Sequence, residues 1–146
     1  MVIAIFGESC TGKSTLAEML KDRLGAEIYT GKDYLRLAKN ESMAKMQFRK
    51  LLSNANETNI IYVIAEKPHL DLLPENAFRV LVTADLELIK TRFAARMRGN
   101  LPAPVAQMLE KNHGSFDAVP HDMHYVSDRE SAEEALNRIL NGISGE

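Results

Sequence analysis

The sequence predicts a three-layer α/β domain in which helices cover both faces of a five-stranded parallel sheet. Short apolar runs alternate with segments of helical periodicity along the whole chain, which is the pattern of strands joined by covering helices. The 146 residues are enough for one sizeable core, and neither a repeat nor a linker interrupts the pattern. The chain is therefore predicted to form one domain, residues 1–146.

Five segments have the length and apolar content of buried strands. They are residues 2–6, 26–29, 59–65, 78–82 and 123–126. The third is apolar throughout Ile60–Ile64, which predicts a central strand that is covered on both faces.

Helices are predicted between the strands, where apolar residues recur three and four positions apart. They span residues 13–24, 33–53 with a break near Asn40, 85–98, and a last helix that opens with the capping box Ser131-x-x-Glu134. The apolar residues expected to be buried in the helix 85–98 are Leu86, Ile89, Phe93 and Met97.

Three further segments lack a clear pattern. Pro68 and Pro74 bracket a loop or a short helix. Residues 99–120 are either irregular or a movable helical hairpin, and residues 97–120 are the predicted lid of the domain. Residues 141–146 are expected to be a loose end.

A glycine-rich segment follows the first strand. Residues 7–14 match the pattern G-x-x-x-x-G-K-[ST], and they lie between a strand and a helix, the context in which this pattern holds phosphate groups at a helix N-terminus. Gly7 and Gly12 permit backbone angles that turn successive N–H groups inward. The alternative is a glycine-rich turn with a helix N-cap, which leaves Lys13 unexplained.

The residues of this segment have predicted roles in binding a nucleotide. Lys13 supplies positive charge for the β- and γ-phosphates, and the Ser14 hydroxyl is placed to ligate Mg²⁺. The Glu8 carboxylate is expected to point away from the ligand. The predicted nucleotide-binding set of this segment is Gly7, Glu8, Ser9, Cys10, Thr11, Gly12, Lys13, Ser14 and Thr15.

Arginines cluster at the end of the helix 85–98, just before the Gly99–Pro104 break. Arg92 and Arg96 are four residues apart and so share a face of the helix. Beside a lid, they suit the neutralisation of charge in phosphoryl transfer: Arg96 is predicted to be catalytic and Arg92 to bind the nucleotide. The alternative is an exposed basic helix end that complements the helix dipole.

Polar residues at the ends of two strands are candidates for binding a phosphoryl acceptor. Glu66 follows the third strand and is predicted to hold Mg²⁺ through water or to prepare the acceptor. After the second strand, Asp33 is a candidate general base or acceptor contact, and Arg36 suits an acidic acceptor. Alternatively, Asp33 caps the following helix, and Glu66 is simply the first polar residue after a buried strand.

Composition excludes several classes of partner. The formal net charge is −2, from 18 basic and 20 acidic residues, so no basic footprint for nucleic acid is present. No segment approaches the roughly 18 apolar residues of a membrane span. The one cysteine, Cys10, cannot form an internal disulfide, and a cytoplasmic protein is expected.

The chain resembles small P-loop kinases of the nucleoside-monophosphate kinase superfamily, including its shikimate and gluconate kinase branches. The resemblance rests on residues 7–14, on Thr30-Gly31 with Leu35-Arg36, on Ile89–Arg98, and on Phe116–Ser127 with the last helix. It implies a parallel sheet of order 2-3-1-4-5 and Mg²⁺-dependent transfer from ATP. It also places Ser127–Arg129 near the nucleotide base and a short acceptor-binding region at residues 31–58.

The sequence departs from this superfamily at two places. The D-G-x-P-R that adenylate-type kinases carry after strand three is replaced by Glu66-Lys67-Pro68, and the D-x-D of shikimate kinases is missing after strand two. The first hypothesis is an ATP-dependent kinase acting on a nucleotide, a nucleoside or a similar small polar metabolite. A nucleotide-binding regulatory protein that has lost transfer, and an NTPase that needs no acceptor, remain as alternatives.

Overall fold

The computed structural model describes residues 1–144 and contains one five-stranded sheet. Its strands are β1 (Val2–Phe6), β2 (Glu27–Thr30), β3 (Ile60–Ile64), β4 (Phe78–Thr83) and β5 (Met123–Val126). They lie in the order β2-β3-β1-β4-β5, and every neighbouring pair is parallel. The predicted sheet and the strand order that the resemblance implied are both confirmed. The middle position belongs to β1, while β3 is its interior neighbour and is buried at all five residues.

The helices lie between the strands, as predicted. The α-helices are α1 (Lys13–Leu24), α2 (Glu41–Ser53), α3 (Leu86–Arg96), α4 (Ala103–Asn112) and α5 (Ala132–Ile143). Two 3-10 helices, Asp33–Leu37 and Lys67–Leu72, occupy the segments after β2 and β3. The break near Asn40 is confirmed, since the Asn40 side chain accepts a hydrogen bond from the Met43 amide and begins α2 there.

The strand β1 shows how one sheet supports two cores. Its side chains alternate between the faces. Val2, Ala4 and Phe6 pack with the aromatic side chains of α2 and its neighbourhood, while Ile3 and Ile5 pack with α1 and α5. Because both faces are covered, β1 is held rigidly, and the loop that leaves its carboxyl end starts from a fixed point.

Some boundaries differ from the sequence-based expectation. The helix α3 ends at Arg96, so Met97 is 38% exposed rather than buried; Arg98 and Gly99 then take positive φ angles of 62° and 83° and turn the chain away. Residues 99–120 contain the regular helix α4.

Residues 141–143, which belong to the predicted loose end, are helical. The helix α5 continues to Ile143, and within it Gly142 packs so closely against Phe78 of β4 that a Cβ at this position would lie 2.8 Å from Phe78 Cζ. The last two residues of the predicted loose end lie outside the described residues. Between residues 1 and 144, the model contains no helix with the length and hydropathy that a membrane span requires.

Gly7 is predicted to be irreplaceable at the start of the loop. A Cβ there would lie 2.1 Å from the backbone oxygen of Val82, and φ is +155°. Gly7→Ala should lower the free energy of unfolding by about 2–4 kcal/mol, because the β1–β4 contact must open. Gly25→Ala is the control, since its φ is +64° with open space around it, and it should cost only about 1–2 kcal/mol. Equal losses in chemical denaturation would contradict the steric argument.

Candidate functional site

The loop between β1 and α1 closes around the backbone carbonyl of Glu8. This oxygen accepts a hydrogen bond from Thr11 Oγ1 at 2.9 Å and another from the Lys13 ammonium. Cys10 has a positive φ of 63°, and Gly12 has one of 107°, so the loop turns sharply twice before the helix begins. The result is a compact turn with the lysine folded back over it.

The loop is also held from outside. Arg92 of α3 donates a hydrogen bond to the Cys10 carbonyl at 3.0 Å. The Cys10 side chain is buried in a small apolar cluster with Ala84, Ile89 and Leu109. Arg92 therefore positions the loop, and its guanidinium lies beside the place where a loop ligand would bind.

The N-terminus of α1 is open toward the same space. Gly12 is the N-cap and has no side chain to accept a hydrogen bond, and the first internal bond of the helix runs from the Leu16 amide to the Gly12 carbonyl. Within residues 1–144, the amides of Lys13, Ser14 and Thr15 have no hydrogen-bond partner. Free amides at a helix N-terminus attract an anion, because the helix dipole adds to their partial charge.

Lys13 is a buried cation. Lys13 is only 7% exposed, and this burial lowers the pKa of its ammonium to about 8. The nearby Arg96 guanidinium also lowers this pKa, whereas Cys10 and Glu8 raise it. Two cations thus lie close together, an arrangement that a bound anion would stabilise.

A cavity of about 260 Å³ lies over the loop and is called here the loop cavity. It brings Glu66 and Arg96 together with six residues of the predicted nucleotide-binding set, namely Ser9, Cys10, Gly12, Lys13, Ser14 and Thr15. Its far wall consists of residues from the ends of β2 and β3 and the segments after them, which are Thr30, Gly31, Lys32, Val63, Ala65 and His69.

A second cavity, of about 420 Å³, lies on the other side of the loop and is called the Ser127 cavity. Arg92, Arg96, Tyr125 and Ser127 are among its lining residues. The Ser127 hydroxyl is buried and has no hydrogen-bond partner in the described chain. Arg96 lines both this cavity and the loop cavity, so one guanidinium stands where the two meet.

A third cavity, of about 290 Å³, opens from the loop cavity toward α2 and is called the α2 cavity. Lys32, Glu66 and His69 line both. Its remaining lining includes the cations Lys45 and Arg49 of α2. At the carboxyl edge of the sheet, the loop cavity thus shares lining residues with the Ser127 cavity on one side and with the α2 cavity on the other.

Two predicted acceptor residues are engaged elsewhere. The Asp33 carboxylate accepts a hydrogen bond from the Thr30 amide at 2.8 Å and so holds the turn after β2. The Arg36 guanidinium lies over the Tyr29 ring, 5.0 Å from its centroid. Neither residue lines the three cavities, and their predicted roles stay predictions.

The predicted acceptor-binding region, residues 31–58, contains Lys32 and Arg49 without singling out either one, and His69 lies outside it. Lys32 directly follows the Thr30-Gly31 pair that the resemblance used, whereas the sequence identifies no partner for His69. Arg49 is one of three cations on α2, and its spacing of four residues from Lys45 is the signal that could have linked it to the same face of the helix.

The Glu8 carboxylate points away from the loop cavity and toward the segment after α4. One oxygen lies 3.0 Å from His113 Nδ1, and the other accepts the Gly114 amide at 3.0 Å. Only 10% of this side chain is exposed. The Glu8 side chain therefore joins the loop to residues 97–120, and its backbone is what faces a loop ligand.

No protein-family model matches the sequence, and the comparison with curated proteins finds no relative. Solved structures do match over nearly the whole chain. An uncharacterized protein from Eubacterium ventriosum is 19% identical, with a TM-score of 0.69 and coverage of 100% of this chain and 99% of that one.

Two of the matching structures are kinases of small molecules. Shikimate kinase from Acinetobacter baumannii, in complex with shikimate, is 16% identical, with a TM-score of 0.67 and coverage of 99% and 93%. A gluconokinase from Sinorhizobium meliloti is 14% identical, with a TM-score of 0.64 and coverage of 98% and 91%. Together with the strand order and the loop, these similarities show that the chain has the fold of the P-loop kinases.

Proposed function

We propose that this protein is a kinase that transfers the γ-phosphoryl group of Mg²⁺-bound ATP to a small polar acceptor, such as a nucleotide, a nucleoside or a similar metabolite. One observation carries the proposal: Lys13 and Arg96 lie together at a cavity that also meets the open N-terminus of α1. Charge of this kind, in a partly closed space, suits a polyphosphate.

The donor would lie across the loop cavity and the Ser127 cavity. The phosphates would accept hydrogen bonds from the free amides of Lys13, Ser14 and Thr15, and the Lys13 ammonium would leave the Glu8 carbonyl for a phosphate oxygen. The buried Ser127 hydroxyl supports placing the base in the Ser127 cavity, because it needs a hydrogen-bond partner there.

Ser14 is the residue of this site that fits Mg²⁺, since its hydroxyl is at the position that this loop pattern uses for the ion. When bound, Mg²⁺ would neutralise charge on the β- and γ-phosphate oxygens. Glu66 lines the same cavity. Its carboxylate would hold Mg²⁺ through water, or it would hold the acceptor hydroxyl.

Arg96 would stabilise the charge that develops during transfer. Its position beside Lys13 in the loop cavity supports this role, because the γ-phosphoryl group of the donor would lie in that cavity. Residues 97–120 would act as the lid. The positive φ angles at Arg98 and Gly99 mark one end of this segment, and the Glu8 contacts hold the other end against the loop.

The strongest alternative is a nucleotide-binding protein that regulates a partner and does not transfer phosphate. It is favoured by the end of β3, where Glu66, Lys67 and Pro68 supply no arginine for the acceptor side. Arg96 supports the kinase instead, because it adds a second cation beside Lys13 in the cavity where the transferred phosphoryl group would lie.

ADP release with Mg·ATP is expected to depend on an acceptor. A suitable panel contains AMP, CMP, dTMP, adenosine, gluconate and shikimate, which cover nucleotide, nucleoside and acid acceptors. Lys13→Ala should lower the acceptor-dependent rate at least about a hundredfold while the protein stays folded, because it removes a cation aimed at the phosphates. Lys21→Ala, on the exposed side of the same helix, is the control and should retain activity.

Each other outcome points to a different function. Tight ATP binding without ADP release for any acceptor would favour the regulatory protein, and release without an acceptor would favour the NTPase. Retained turnover in Lys13→Ala would contradict the role of this lysine.

ATP affinity should fall as the pH rises through the pKa of Lys13. That pKa is about 8 in the free protein, and bound phosphate favours the charged ammonium. Above this pH the lysine must take up a proton when ATP binds, so the dissociation constant should rise by up to about tenfold per pH unit.

Calorimetric titration in two buffers with different ionisation enthalpies would measure the proton uptake directly. The matched variant is Lys13→Met, which keeps the apolar stem and removes the titrating group. If both proteins showed the same pH profile above pH 8, Lys13 would not be the titrating contact.

A further inference from the structure

We infer that His69 hydrogen-bonds to the phosphoryl acceptor and so holds it in the site. The inference rests on the proposed kinase function and adds a residue of the acceptor site. His69 lies in the 3-10 helix after β3 and is only 7% exposed, so its imidazole is packed inside the protein.

The first observation is an unpaired polar atom. His69 Nδ1 is buried and has no hydrogen-bond partner, and neither ring nitrogen of His69 bonds to another residue between 1 and 144. A buried polar atom that has given up water without a protein partner destabilises the fold, and such atoms are few in folded proteins. A ligand that supplies the missing partner would account for its retention.

The second observation is that nearby hydroxyl groups are already committed. The His69 ring packs edge-on against Tyr34, with centroids 6.0 Å apart, and is tilted against Tyr62 at 6.5 Å. The Tyr62 hydroxyl donates to the Gly31 carbonyl at 2.7 Å, and the Tyr34 hydroxyl donates to Glu41 at 3.4 Å. The tyrosines therefore orient the imidazole without satisfying it.

The third observation is the position of His69 among the cavities. It is one of three residues, with Lys32 and Glu66, that line both the loop cavity and the α2 cavity. An acceptor that extends from the α2 cavity toward the phosphates must pass this junction. A hydroxyl or another oxygen of the acceptor would meet the imidazole there, flanked by an ammonium and a carboxylate.

A purely structural role predicts something different. If His69 served only to pack against Tyr34 and Tyr62, phenylalanine would do so equally well and would not bury a nitrogen. His69→Phe is thus expected to be at least as resistant to thermal unfolding as the wild type, and yet to bind the acceptor more weakly. Stability and function should move in opposite directions.

The experiment compares wild type, His69→Phe and His69→Gln in the ADP-release assay with the six acceptors named above. For every acceptor that the wild type uses, His69→Phe should raise the acceptor KM at least tenfold and change the ATP KM less than twofold. His69→Gln, which keeps a hydrogen-bonding group of similar reach, should restore part of the affinity. His121→Gln is the control, since His121 lines none of the three cavities.

A spectroscopic measurement does not depend on the variants folding. The chain has four histidines, so ¹⁵N spectra of the imidazoles can be assigned, and saturating acceptor should shift the ring nitrogens of His69 far more than those of His121. An unchanged acceptor KM in His69→Phe, or an unshifted His69, would overturn the inference while leaving the kinase function intact. A wild type with no acceptor-dependent ADP release would instead contradict the proposed function, and the inference would fall with it.

Discussion

The site is organised around the burial of one charged group, the Lys13 ammonium. Lowering a lysine pKa from 10.5 to about 8 corresponds to about 3 kcal/mol against the charged form at neutral pH. In the free protein the ammonium is compensated by the backbone carbonyl of Glu8 alone among hydrogen-bond partners in the described chain. The loop conformation, the uncapped N-terminus of α1 and the neighbouring Arg96 together would favour the binding of an anion.

Holding the Lys13 ammonium in this position requires a well-ordered loop backbone. Several parts of the fold restrain that backbone. Gly7 brings the start of the loop against β4, where a side chain would collide with Val82. Arg92 fixes the Cys10 carbonyl, and the Cys10 side chain anchors the loop in an apolar cluster. These restraints come from strands and helices that are packed in the core, so the loop is already ordered before any ligand binds.

Sequence reasoning predicted the parts of this site whose residues are neighbours in the chain. The glycines, Lys13 and Ser14 are contiguous, and the strands were recognisable because buried parallel strands are apolar throughout. The strand order followed from a resemblance and not from the pattern itself. Asp33 and Arg36 were predicted from the chemistry of their side chains, and in the fold a short-range hydrogen bond and an aromatic ring engage those side chains. His69 could not be assessed, because an unpaired buried nitrogen is visible only when Tyr34, Tyr62 and the cavities around it are assembled.

Glu8 makes its two sets of contacts with different parts of the same residue. Its carbonyl holds Lys13, while its carboxylate holds His113 and Gly114 beyond α4. The Glu8 carbonyl would lose its hydrogen bond from Lys13 if phosphate drew the lysine away. It belongs to the same residue whose carboxylate contacts His113 and Gly114. A rearrangement of the loop on phosphate binding would thus act directly on the segment that contains His113 and Gly114, with no intervening residue.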